Sequence, residues 1–310
     1  MTDRILEPGA RPGDADAPPG ADVPPTSAYR RSVWRRRARF ALALVVMLPT
    51  LANAQARPAL PPATLRAAPG RPGWSVDAAT GCWVWNGDPR PDDTVSWNGA
   101  CGSDGRATGR GVEEWRDGDQ VSRYEGDVQG GKAQGRGVYT FANGDRYDGE
   151  YRDDRRHGRG VFAWANGDRY EGEFRDNRRD GRGILTTAAG SRYEGEWRAG
   201  EQTGVGILTL ADGGRYAGEW RNGEKHGRGI LIAPDGSRYT GEWRDDTRSG
   251  RGIQVWPDGT RYEGEWRAGR PEGYGTAWIN GSEFAGTWAA GCFGEGELRA
   301  AIGLDLSECP

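Results

Sequence analysis

The sequence predicts an all-β fold: an elongated repeat array of β-hairpins forming one continuous twisted antiparallel sheet, preceded by a disordered N-terminus. Three observations carry that expectation. Seven tyrosines recur at intervals of twenty-three residues, at Tyr124, Tyr147, Tyr170, Tyr193, Tyr216, Tyr239 and Tyr262, and Phe284 takes the eighth place after twenty-two. A fixed period in this range marks an array of stacked units. From each tyrosine the chain alternates with period two, which is the pattern of a strand with one buried face. Finally, 52 Gly and a mean hydropathy of −0.82 leave few aliphatic side chains for a globular core. An array escapes that limit because each unit buries itself against its neighbours.

From the N-terminus, residues 1–29 are rich in Pro, Gly, Asp and Ala and nearly devoid of aromatics. Such a composition cannot repay its ordering entropy, so a disordered leader is expected. Residues 30–54 have the order of a secretory signal: the basic run Arg30, Arg31, Arg35, Arg36, Arg37 and Arg39, the apolar stretch 40–48, and a small-x-small site ending at Ala54. Nine apolar residues stopped by Pro49 fall short of the roughly twenty needed to span a bilayer. Cleavage after Ala54 and a periplasmic or extracellular location are therefore expected, with an uncut inner-membrane anchor facing the periplasm as the alternative. The long leader before the basic run points either to a start near Val33 or to an extended n-region. Residues 55–73, with Pro58, Pro61, Pro62, Pro69 and Pro72, read as an extended linker.

Residues 1–54 hold eight Arg and five acids, leaving 34 basic and 40 acidic residues in the remainder. That balance, with both signs interleaved, excludes a nucleic-acid groove and a strongly polybasic membrane patch.

Residues 74–123 read as an atypical N-terminal cap and first repeat, 124–283 as seven regular repeats, and 284–310 as a last partial repeat with a C-terminal cap. Counting from each tyrosine, positions 1, 3 and 5 are Tyr, Gly and an aromatic, as in Tyr193, Gly195 and Trp197, and share one face. The glycine opens flat space against which a ring can lie. Positions 2, 4 and 6 carry acid, Glu and Arg, as in Glu194, Glu196 and Arg198, and form a solvated face whose charges are read as structural. A second strand is expected to begin at a Gly-x-Gly pair such as Gly181 and Gly183, with the glycines making a tight reversal. Asn-Gly or Asp-Gly turns such as Asn166-Gly167 and Asp258-Gly259 then close the unit. Two strands per repeat at roughly 4.8 Å give an array on the order of 75 Å long.

Tyr-x-Gly-x-Trp-x-x-Gly, followed by Gly-x-Gly and a closing Asp-Gly, resembles the MORN (membrane occupation and recognition nexus) repeat over about residues 97–300. The departures lie at the ends, where Val128 replaces the ring and the first unit (Trp97, Gly99, Cys101, Gly109, Gly111) is lengthened. The resemblance implies a β-sheet interaction module used in scaffolds, junctional proteins and enzyme appendages, for which lipid binding has been proposed.

All four cysteines stand at the caps. Beside a secretory signal they read as disulfides, and four cysteines allow three pairings. Local closure, Cys82 with Cys101 and Cys292 with Cys309, is preferred because each end of the stack needs a staple. Each loop is worth roughly 3 kcal/mol in the chain-entropy model. No Cys-x-x-Cys supports zinc, and His157 and His226, three repeats apart, are too distant to share a metal. No metal, no cofactor and no catalytic constellation is expected, since paired carboxylates such as Glu171 and Glu173 recur in most units and mark a surface row.

The functional expectation is a non-catalytic exported scaffold for an unknown protein partner at the cell envelope. The rings Tyr193, Trp197, Tyr216, Trp220, Tyr239 and Trp243 are its candidate contacts. The alternative is a module for wall glycans or quaternary ammonium groups, which open rings would stack or cage. Membrane lipid is the third candidate ligand.

Overall fold

The computed structural model describes residues 57–68 and 70–309. The leader (1–29) and the signal segment (30–54) lie outside the described residues.

Twenty strands, from Thr94–Trp97 to Leu298–Ala301, form one antiparallel sheet in sequence order. Thr94–Trp97 and Ala100–Cys101 both pair with Ala107–Asp117, and from there each strand ladders onto the next. One period is one hairpin. In the unit of Tyr170 the first strand is Arg169–Arg175 and the second is Arg178–Thr186.

The reversal between these strands is not at the Gly-x-Gly pair. Asp176 and Asn177 make it, with φ of 48° and 73°, and equivalent two-residue turns follow in the other units. Consecutive positive φ values match the twist of a two-residue hairpin, and Asn, Asp and Gly tolerate them best. The Gly-x-Gly pair instead lies inside the second strand, where two separate needs explain it. Gly181 (φ 113°) sits at the bulge that shifts the register between Gly172 and Phe174. Gly183 stands directly opposite Gly172, and the Tyr170 ring lies over both: a methyl group on Gly183 would come within 2.5 Å of the ring's Cζ. The hydroxyl at the end of that ring donates to the Glu173 carbonyl at 3.1 Å.

The bulge leaves the Arg182 N–H outside the ladder, and the Glu173 carboxylate accepts from it at 2.9 Å. Glu150, Glu219 and Glu242 do the same for Arg159, Arg228 and Arg251. The Glu at position 4 is thus an internal cap on the bulge. The acid at position 2 pairs instead with the Arg two residues before it, as Arg192 with Glu194 at 2.7 Å and Arg169 with Glu171 at 2.7 Å. These exposed pairs add little stability individually.

The core is a single file of rings. Tyr193 meets Trp197 of its own repeat at 5.2 Å and Trp220 of the next at 5.2 Å, both edge-to-face. The same two contacts recur at Tyr216 and Tyr239 and end on Tyr262 against Trp288. Edge-to-face pairs contribute about 0.5–1.5 kcal/mol beyond their buried area, so each ring stabilises two repeats at once. Where Val128 replaces the ring, Tyr124 keeps only the forward contact, to Tyr151 at 5.2 Å.

Both ends are stapled. Cys82 is bonded to Cys101 and Cys292 to Cys309, with Cα–Cα separations of 5.5 and 5.6 Å. A separate hairpin, Gly73–Val76 with Trp83–Asn86, covers the N-terminal end. The segment read as an extended linker packs on this hairpin over its described part: Ala63–Leu65 form a 3-10 turn, and the Trp83 indole N–H donates to the Ala59 carbonyl at 2.9 Å.

Candidate functional site

On the ring face of the sheet, position 16 of each unit points inward from the second strand. Tyr139, Phe162, Leu185 and Leu208 hold it in successive units, all buried. In the first unit the same place belongs to Glu113, which is only 5% exposed. Its Oε1 finds no hydrogen-bond partner among the described residues. Burial, and next the charge of Asp154, push its carboxyl up to about 8, against an opposing hydrogen bond from Trp115. Asp154 comes from the reversal after Arg146–Arg152, where its positive φ of 64° is that of a two-residue turn. The Ala133 N–H donates to its Oδ1 at 2.6 Å, while Oδ2 is out of solvent and has no partner among the described residues. Burial pushes this carboxyl up to about 7, opposed first by the Ala133 N–H and then by Lys132.

The two carboxyls line a cavity of about 900 Å³ where the N-terminal hairpin meets the first repeats. Trp85, Trp115, Tyr124, Tyr139, Phe141 and Tyr151 supply its aromatic walls. Basic groups at its edges are engaged: Arg90 with Asp117 at 3.0 Å, Lys132 over the Trp85 ring at 4.6 Å, and Arg175 with Asp180 at 3.3 Å.

The ring face also carries charge that the sequence reading assigned only to the opposite face. Position 10 holds Arg156, Arg179, Lys225 and Arg248, each lying over rings. Arg179 is 4.3 Å from the Trp197 centroid and Arg248 4.5 Å from that of Trp266. Each of these cations also caps the reversal of the following repeat. Arg179 and Arg248 donate to the carbonyls of Gly200 and Gly269 at 2.8 and 2.9 Å, and Arg156 to that of Asn177 at 3.0 Å. Lys225 donates to the Asp246 carboxylate at 3.1 Å, both side chains being nearly covered. Burial pulls the Arg156 and Arg248 guanidinium groups below their usual range.

The six rings named as candidate contacts, Tyr193, Trp197, Tyr216, Trp220, Tyr239 and Trp243, are between 1% and 6% exposed and lie in the file of rings. Their faces and edges are occupied by one another. Burial raises the phenols of Tyr193, Tyr216 and Tyr239 far above their usual range. His157 and His226 occupy equivalent places opposite Glu150 and Glu219 and approach Asp176 and Asp245 at 3.9 and 3.5 Å. Among the described residues no group of three or more His, Cys, Asp or Glu could hold a metal ion, and no helix is long and apolar enough to cross a membrane.

Glu113 was legible as the one carboxylate in a column held otherwise by aromatic and aliphatic residues and, at Gln254, by a neutral amide. Asp154 was not, because Ala133, whose N–H it accepts, is twenty-one residues away and the reversal that presents it was expected elsewhere.

No curated protein matches the chain. Among solved structures, the chain is similar to the TCP domain of SAS-4 (dCPAP) from Drosophila melanogaster in complex with a proline-rich motif of Ana2. That match has 15% identity over 50% of this chain and 85% of that one, with a TM-score of 0.32. It is similar in the same degree to the TCP10 domain of CPAP from Danio rerio, with 15% identity over 59% of this chain and 84% of that one and a TM-score of 0.32. Superposition at this level carries no argument about function. The MORN repeat model matches 103–120, 124–146, 147–169, 170–192, 193–215, 216–238, 239–261 and 262–283. With more than half of its length in eight such matches, this chain belongs to the MORN repeat family.

Proposed function

We propose that this protein is a non-catalytic repeat scaffold that binds a protein partner through the cavity at its N-terminal end and works at the cell envelope after export. The observation that carries the binding half is the cavity, whose aromatic walls and charged rim have the make-up of an interface centre. Elsewhere along the array the inward rings are engaged with each other, and many outward charges pair along their own strands, cap bulges or, as Arg152 with Asp176, reach the next reversal. The signal-like order of residues 30–54 motivates the export half, and two disulfide-bonded cysteine pairs are in keeping with an oxidising compartment.

A photo-crosslinking residue placed at Asn143, exposed on the cavity rim, should yield a discrete adduct in cells, whereas one at Glu194 on the outer face should not. Equal adducts from both positions, or none from Asn143, would sink the assignment of the surface. N-terminal sequencing of the native protein tests export separately, with a mature chain beginning at Gln55 as the expected result.

A further inference from the structure

In Arg156, Arg179, Lys225 and Arg248 the array repeats one device: a cation at position 10 lies over rings and satisfies the reversal of the next repeat. The first regular unit departs from it. Ala133 stands at position 10, yet the reversal it faces presents the Asp154 carboxylate, as Asp246 is presented to Lys225. Ala133 meets that reversal through its backbone alone, its N–H donating to Asp154 Oδ1 and its carbonyl accepting from the Asp154 N–H at 3.1 Å, so Asp154 Oδ2 is left without a partner among the described residues. A side chain at position 10 would lie between the unit's own tyrosine and the aromatic at position 5 of the next unit, as Arg179 lies between Tyr170 and Trp197. Here those rings are Tyr124 and Tyr151, edge-to-face at 5.2 Å, and both line the cavity. The buried Glu113 brings a second carboxyl to the same cavity, also with an oxygen that no described residue satisfies.

We infer that this cavity is a socket for a guanidinium or ammonium group, filled by an arginine or lysine side chain of the protein partner in place of the internal cation that Ala133 omits. The inference rests on the protein-binding reading above and names the chemistry of its anchor. Both cations have an internal precedent: Lys225 meets the Asp246 carboxylate, and Arg156, Arg179 and Arg248 show that the same place between the rings accepts a guanidinium. The rings add cation–π attraction, which is strongest where the cation is desolvated. Other charged residues line the same cavity, among them Lys132, Asp153, Arg90, Arg155, Arg175 and Asp176; Lys132, Arg90 and Arg175 are held by Trp85, Asp117 and Asp180.

The full mature chain, titrated at pH 8 with arginine amide, lysine amide, spermidine and the neutral isostere citrulline amide, tests this by calorimetry. Arginine amide should bind at least tenfold more tightly than citrulline amide, and Glu113→Gln and Asp154→Asn should each weaken it tenfold or more. Ala133→Lys restores the internal cation and should abolish arginine amide binding while raising Tm. Equal binding of arginine and citrulline amides would overturn the socket, as would unchanged binding in Ala133→Lys with the fold intact. Spermidine binding far more tightly than either amide would overturn the partner side chain in favour of a free polyamine. A crosslink from Asn143 that persists at full yield in Asp154→Asn would refute the cation anchor and leave the scaffold reading standing.

Discussion

Two carboxyl groups hold protons that ordinary carboxylates would have lost. Burial, reinforced by the charge of Asp154, places Glu113 near 8 instead of 4.5. The unfolded chain ionises this residue from about 4.5 upward while the folded chain retains its proton, so between those values the unfolded state binds fewer protons. Stability therefore falls as pH rises through the window from 4.5 to 8. At about 1.4 kcal/mol per pH unit the loss reaches a few kcal/mol at most. Glu113→Gln should reduce that slope to the share contributed by Asp154, matching the parent near pH 5 and exceeding its unfolding free energy at pH 8, as urea titrations at the two values would show. A parent already as stable at pH 8 as at pH 5 would contradict the burial of the charge. The inward place of Glu113 could be read from the column Tyr139, Phe162, Leu185 and Leu208. Its orphaned state could not, since that depends on which atoms surround it.

At the level of the hairpin, the reversal and the cation that caps it act as a pair across adjacent repeats. The chain contains its own substitutions: Lys225 faces Asp246, whereas Gln202 faces Gly223, whose N–H donates to the Gln202 carbonyl at 3.0 Å. Removing one member of a nearly buried ion pair costs about 3–5 kcal/mol because the other charge is stranded. Asp246→Gly should therefore destabilise by roughly that amount, whereas Lys225→Gln with Asp246→Gly, which copies Gln202 and Gly223, should cost about 1 kcal/mol or less, near the worth of one hydrogen bond. Denaturant unfolding of the two variants measures the difference, and equal losses would rule out coupling. The hairpin pattern itself was legible from alternation and turn residues, but the position of the reversal was not. Gly-x-Gly looks like a turn in sequence, yet Gly181 serves the bulge and Gly183 is there because the Tyr170 ring lies over it and Gly172, contacts that no local pattern announces.

Across the whole molecule, each strand packs chiefly against its neighbours in sequence, so stability should sum over repeats and their interfaces. Excision of residues 193–215 removes one full period and lets Trp220 meet Tyr170 as Trp197 does now. The shortened chain should fold with a single cooperative transition and a urea m-value reduced roughly in proportion to the repeat removed. Loss of the fold would show that the repeats are not interchangeable. Periodicity and alternation were sufficient to specify the hairpin array, the buried rings and the solvated outer row, because backbone pairing and face are local properties that recur every twenty-three residues. Which rings remain reachable, where the chain reverses and where a carboxylate lacks its cation were settled only by packing between repeats. Those features arise from side chains about twenty residues apart meeting across strands, and a repeat shows its exceptions only when its neighbours are in place.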